Sequence, residues 1–369
     1  MRRRRFAAAL GVGLVAWCLA SMGPAGAGWR ELRFVHALTW SHLLGLRCGW
    51  CVEEALALNS GGDAYASYVA PRPVAEAAMG AAWDKASPFV IRGALPRTPW
   101  TAAGLAADDD VGAATYSFQC AANVSSQLRE GGFAGYGCAV DLPLREGLAR
   151  GFYMRQNNRL LRDFPSLGET MGLTEAFLAS LDEGHFSLKG VFLGSWDGVD
   201  PASPARGSSL HSDLSANWYA QKAGDKTWTL VSPDESARLL PVFDERRGVP
   251  ALFSGLGYAA DATDDERRRP LEAVPRFVVT LGVGDLLYVP SWWWHQIENA
   301  PGFNAAVALR GPKSVVAALR PSSPAFFATV GSLPDIALQT RNLLATKLGV
   351  RTGSFEDAFL REAKRSAAP

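Results

Sequence analysis

His211 and Asp213 stand two positions apart in "SSLHSDLSANWYAQKAGDKTW", a segment that reads as strand. On a strand, residues i and i+2 point to the same side, so the imidazole and the carboxylate are expected to converge inside a barrel. Taken alone, such a pair arises by chance in many proteins and reads first as a solvated turn or an ordinary hydrogen-bonded pair. The reading changes with His295, which follows three tryptophans in "YVPSWWWHQIEN" at the end of another strand. Two histidines and one carboxylate on one face of a metal form the donor set that leaves positions open on iron(II), and open positions are what oxygen activation requires. Lys226, just past the "KAGD" turn, is oddly placed within an apolar strand pair. A lysine after a turn is usually solvated; here its ammonium is expected to point back into the same cavity as a point charge for a carboxylate ligand.

The elements that would carry these residues are short runs rich in valine, leucine and aromatics. "FSLKGVFLGSW", "NWYAQKAGDKTWTLVSP", "RFVVTLGVGDLLYVP" and "GFNAAVALRG" are divided by Gly, Asp and Pro. "KAGDK" and "GVGD" read as tight turns between antiparallel strands. Regularly spaced short strands argue for a sandwich or barrel, so the fold class is mainly β with flanking helices. "SPFVIRGAL" reads as a first buried strand and "GGFAGYGCAV" as loop or irregular strand. "RPVAEAAMGAAWDKA", at 72–86, is a helix candidate by propensity, and "TEAFLASLDEG" a short amphipathic helix. On a strand Trp292 and Trp294 face one way and Trp293 the other, so the three read as packing residues rather than one pocket lining. His36, His42 and His185 have no ligand partners at useful spacing.

With 369 residues, 48% of them hydrophobic, the chain is long enough for a substantial core. Its 37 basic and 36 acidic residues nearly cancel, and no basic stripe follows the N-terminus, so nucleic acid is not an expected partner. Residues 1–28 join four arginines, an apolar run and Ala25-Gly26-Ala27, the layout of a secretory signal peptide. An uncleaved signal anchor, which would make a single-pass membrane protein, is the main alternative, and a transit peptide a third. Cys48, Cys51, Cys120 and Cys138 read as disulfide cysteines of that pathway, their pairing left open. The "NVS" sequon at Asn123 agrees with luminal exposure.

"HSDLSANWYAQKAGDKTWTLVSP" followed by "GVGDLLYVPSWWWHQIEN" resembles the jumonji-C, cupin-like family of iron(II)- and 2-oxoglutarate-dependent hydroxylases. The similarity reaches back to "SPFVIRGAL" and "FYMRQNNRLLRDFPSL" and covers roughly residues 86–311. It implies a double-stranded β-helix (jelly-roll) core. It also implies His211, Asp213 and His295 as iron ligands and Lys226 as partner of the distal carboxylate of 2-oxoglutarate. Ser208 matches a hydroxyl position contacting that carboxylate, and Asn217 an asparagine facing the site. Arg310 falls near a position where such hydroxylases often carry an asparagine close to the metal, a departure that puts the usual co-substrate geometry in question.

The resulting expectation is a signal segment (1–28), a helical N-terminal extension (29–85), the jumonji-C-like domain (86–311) and a helical C-terminal extension (312–369). The expected activity is hydroxylation of a protein side chain in the endoplasmic reticulum or Golgi lumen, or after secretion, with ascorbate as an accessory reductant. The C-terminal helices need a partner, either the barrel's outside or a second copy in a homodimer. The alternative is a non-catalytic luminal cupin-like binding or scaffold protein, and a third reading is a cupin metalloenzyme that does not use 2-oxoglutarate.

Overall fold

The computed structural model describes residues 68–119, 139–181, 188–195, 207–213, 215–233, 235, 239, 241–243, 251–254 and 271–310. The signal segment, the four cysteines, Asn123, the histidines 36, 42 and 185 and the C-terminal helices lie outside them. The described strands are β1 (Arg72–Pro73), β2 (Ala75–Glu76), β3 (Phe89–Ile91), β4 (Thr115–Gln119), β5 (Ala139–Pro143), β6 (Met154–Asn157), β7 (Leu188–Ser195), β8 (Gly207–Asp213), β9 (Asn217–Ala223), β10 (Lys226–Val231), β11 (Pro241–Phe243), β12 (Ala251–Ser254), β13 (Phe277–Leu281), β14 (Leu286–Val289), β15 (Trp294–Asn299) and β16 (Phe303–Arg310).

They form two seven-stranded sheets, in the orders β1-β13-β10-β15-β8-β12-β11 and β2-β3-β14-β9-β16-β7-β6, with β4 and β5 as a separate ribbon. From β7 to β10, and again from β13 to β16, each successive strand crosses to the other sheet. This alternation is the double-stranded β-helix, and it corrects the reading of two turns. "KAGDK" and "GVGD" do not close hairpins: β9 pairs with β14 and β16, and β10 with β13 and β15. Both are corners between sheets. Gly224 (φ 63°) and Gly284 (φ 91°) supply the left-handed backbone they need. Asp285 pins the second corner by accepting from Gly93 N (3.0 Å) and Gly282 N (3.1 Å), and Arg92 Nη1 donates to it at 2.7 Å.

The helix expected over 72–86 is absent. Arg72–Pro73 pairs in parallel with β13, and Ala75–Glu76 with β3, so this segment adds an edge strand to each sheet and buries Val74 between them. Tertiary pairing overrides the alanine-rich propensity, and an edge position tolerates Pro73, which has no N–H to give. The second helix forms over Glu175–Ser180, where Thr174 Oγ1 accepts from Phe177 N at 3.2 Å.

Among the described residues, three apolar clusters build the core. Tyr219, Trp228, Leu230, Leu287, Trp293 and Ala308 fill the space between the sheets. Trp218, Tyr288, Val307 and Leu309 project from the other side of the second sheet onto the layer that holds Phe118 of the β4–β5 ribbon and Leu144 and Leu160 of two short helices, Leu144–Ala149 and Leu160–Asp163. Covered on both faces, β9 is buried along its whole length. Leu210, Val231, Trp292 and Trp294 pack outside the first sheet while Trp293 packs inside; the tryptophans divide as expected, but Trp292 and Trp293 lie in the turn before β15, so the turn and not strand alternation divides them.

Candidate metal centre

In the antiparallel β8–β15 pair His295 stands directly opposite His211, and their ring centroids lie 4.2 Å apart. Asp213, two residues on, shares their face, and one ligand atom from each of the three lies within 4.8 Å of the others. His295 Nε2 is 3.8 Å from Asp213 Oδ2. All three residues are buried. The three residues singled out from the sequence therefore meet at one end of the barrel, where β8 ends and β15 begins.

The corner leading into β15 is fastened to β8. Trp292 N donates to Asp213 O at 2.8 Å, and Ser212 Oγ donates to Trp292 O at 2.8 Å. Trp292 adopts φ 65°, a left-handed conformation that costs a bulky residue energy and persists only where the surroundings impose it. Its side chain is held in the outer cluster with Trp294, leaving His295 to face inward. His295 Nδ1 then lies 3.0 Å from Trp293 O. A carbonyl only accepts, so Nδ1 carries the proton and Nε2 presents its lone pair toward Asp213. Burial lowers the His295 pKa, against Asp213 and the Trp293 carbonyl, which raise it. A lowered value favours the neutral imidazole a metal requires.

Asp213 is held well below the usual carboxylate range. Burial would raise it, but Arg310, His211, His295 and Arg155 together outweigh that cost. Arg310 Nη2 approaches Oδ2 at 2.9 Å, yet out of line for a hydrogen bond, so this buried oxygen has charge neutralisation and no aligned donor. A buried carboxylate oxygen with no aligned donor, facing an imidazole lone pair, is a donor set that suits a divalent cation. Two imidazoles and one carboxylate suit iron(II).

Lys226 lies deeper on the same face. It opposes Asn299 in the β10–β15 pair as Leu230 opposes His295, four residues or about 13 Å of strand from the histidine. Its Nζ donates to Asn299 Oδ1 at 2.6 Å and sits 5.8 Å from the Tyr219 ring. Buried beside an amide and an aromatic ring, its pKa falls from 10.5 to about 7. Ser208 pairs with Ile297, and a register shift between His295 and Ile297 brings it to the inner face, which an odd spacing from His211 would otherwise deny it. Asn217 opposes Arg310 in the β9–β16 pair, and its Oδ1 is buried with no partner.

Sequence reasoning left out two residues of β6 and its approach. Tyr153 packs against the inner cluster, with burial raising its pKa, and Arg155 is close enough to help hold Asp213 ionised. Their i, i+2 spacing in "FYMRQNN" was the available signal. Residues 77–309 match the model of the cupin-like domain, more than half of the 369 residues, and include the His211–Asp213–His295 group. The chain belongs to the cupin-like domain family.

Proposed function

We propose that this protein is an iron(II)- and 2-oxoglutarate-dependent oxygenase that hydroxylates a protein side chain in the secretory pathway. The observation that carries this reading is Lys226, a buried amino group on the face of the His-Asp-His group whose hydrogen bond goes to an amide rather than a carboxylate. A buried ammonium in such surroundings is costly until an anion joins it. A dicarboxylate anchored at the metal by one end would bring the other toward Lys226.

His211, Asp213 and His295 would hold iron(II), with Nε2 of His295 aimed by the Trp293 carbonyl. Lys226 would pair with the distal carboxylate, Ser208 would offer it a hydroxyl, and Asn217 would offer its amide near the metal. Tyr219, Trp228 and Trp293 line the interior with apolar surface and keep water from the reacting groups. When bound, iron(II) and 2-oxoglutarate supply the oxidative decarboxylation of the keto acid by dioxygen, giving succinate, carbon dioxide and one oxygen atom for a C–H bond. Ascorbate would keep the iron reduced.

The protein substrate rests on the jumonji-C resemblance, and the compartment on the signal-like first 28 residues. A non-catalytic luminal cupin-like protein is the second reading, and the Asp213–Arg310 ion pair favours it, since a guanidinium can neutralise the carboxylate without metal. Aerobic incubation with iron(II), ascorbate, labelled 2-oxoglutarate and a luminal protein extract separates the two. The oxygenase reading expects succinate from the wild type and none from Asp213→Ala; equal release from both contradicts it.

A further inference from the structure

We infer that Arg310 competes with the metal for Asp213, so that the centre accepts metal readily only when an anionic ligand arrives with it. The oxygen that Arg310 Nη2 approaches, Asp213 Oδ2 at 2.9 Å, is the one that faces His295 Nε2 at 3.8 Å. An ion held among three ligand atoms within 4.8 Å of one another takes that oxygen. A guanidinium and a divalent cation cannot both be neutralised by it in a buried site, where like charges repel strongly. Metal entry therefore breaks an ion pair that an asparagine at this position could not form.

The displaced guanidinium has a neighbouring acceptor. Asn217 stands opposite Arg310 in the β9–β16 register, on the inner face, with Oδ1 buried and unpartnered. A guanidinium drawn to Asn217 leaves its charge beside the metal, where it favours an anion. If 2-oxoglutarate is that anion, which rests on the function proposed above, its keto-acid carboxylate restores the neutralisation that Arg310 lost. Metal and 2-oxoglutarate then bind cooperatively, with coupling in the ordinary range of about 5- to 150-fold.

Manganese(II), a redox-stable substitute for iron(II), tests this by calorimetric titration of the purified protein with and without 2-oxoglutarate. Arg310→Asn is expected to bind manganese alone about tenfold more tightly than the wild type, and to gain less from 2-oxoglutarate. Equal manganese affinity of the two proteins without 2-oxoglutarate overturns the inference. Tighter binding by the variant, with 2-oxoglutarate changing neither protein, upholds the competition at Asp213 and removes the co-substrate reading instead. Should Arg310→Asn not fold, Arg310→Lys takes its place. Lacking the planar fork, it is expected to bind manganese more tightly than the wild type, and an unchanged affinity again overturns the inference. The melting temperature gives a readout independent of activity: manganese is expected to raise it more in the variant than in the wild type.

Discussion

His295 lies directly across the β8–β15 ladder from His211, with ring centroids 4.2 Å apart, and the Ser212–Trp292 and Asp213–Trp292 hydrogen bonds lock that register. A slip of one residue would turn His295 outward and Gln296 inward, so the ladder itself assembles the His-Asp-His group. Loss of an outer-shell partner typically weakens metal binding by about 10- to 100-fold. Loss of a ligand should exceed that: in equilibrium dialysis with iron(II) or manganese(II), His211→Ala and Asp213→Ala should fall below the wild type by more than about 100-fold.

Lys226 should couple proton uptake to co-substrate binding. Its pKa in the fold, about 7, lies below that of an exposed lysine, so between about pH 7 and 10 the unfolded chain binds more protons than the native one. The free protein should therefore gain stability from this group as pH rises through that window and lose it again as pH falls from about 10 to about 7, with no further change below; denaturant titrations of Lys226→Met should have a flatter profile there. Burial thus favours the neutral amine above about pH 7, and a carboxylate beside it would raise its pKa again. Binding of 2-oxoglutarate should then take up close to one proton, measured by calorimetry in buffers of different ionisation enthalpy. The uptake should vanish in Lys226→Met.

Trp294 is fully buried in the outer cluster, on the opposite side of its strand from His295. Trp294→Ala should cost about 3–5 kcal/mol in denaturant unfolding. Metal affinity of the folded fraction should stay near the wild-type value, because the carbonyl that orients His295 belongs to the backbone of Trp293.

Gly224 turns the corner from β9 to β10, and a Cβ added there would lie 2.6 Å from Phe303 O. Gly224→Ala should destabilise by more than about 1 kcal/mol. It should also weaken 2-oxoglutarate binding, since the corner sets where Lys226 begins its strand. Gly151, with φ 66° and open space around it, is the control: an alanine there meets the same backbone strain without the collision, and co-substrate binding should not change.

The convergence of His211, Asp213 and His295 was legible because period-2 spacing puts His211 and Asp213 on one side, and because His295 and Lys226 occur in the order of a recognisable signature. Strand partners were not legible. Tight glycine turns at 224 and 284 look the same whether the chain folds back onto its neighbour or crosses to the opposite sheet, and only the register separates a hairpin from a corner. The inward face of Ser208 depends on a bulge, which no spacing rule anticipates. The segment at 72–86 misled because alanine-rich propensity is a weak preference that two sheet edges overcome. Arg310 was visible as a departure from the family's asparagine; its ion pair with Asp213 required the ends of β8 and β16 to meet.

The most direct test of the central claim is an anaerobic calorimetric titration with 2-oxoglutarate in the presence of excess iron(II), run on the wild type, Lys226→Met and Asp213→Ala. Saturable binding by the wild type is expected, with clear weakening in Lys226→Met at unchanged metal content and loss in Asp213→Ala. Absence of binding by the metal-loaded wild type, or equal affinity in Lys226→Met, would contradict the account.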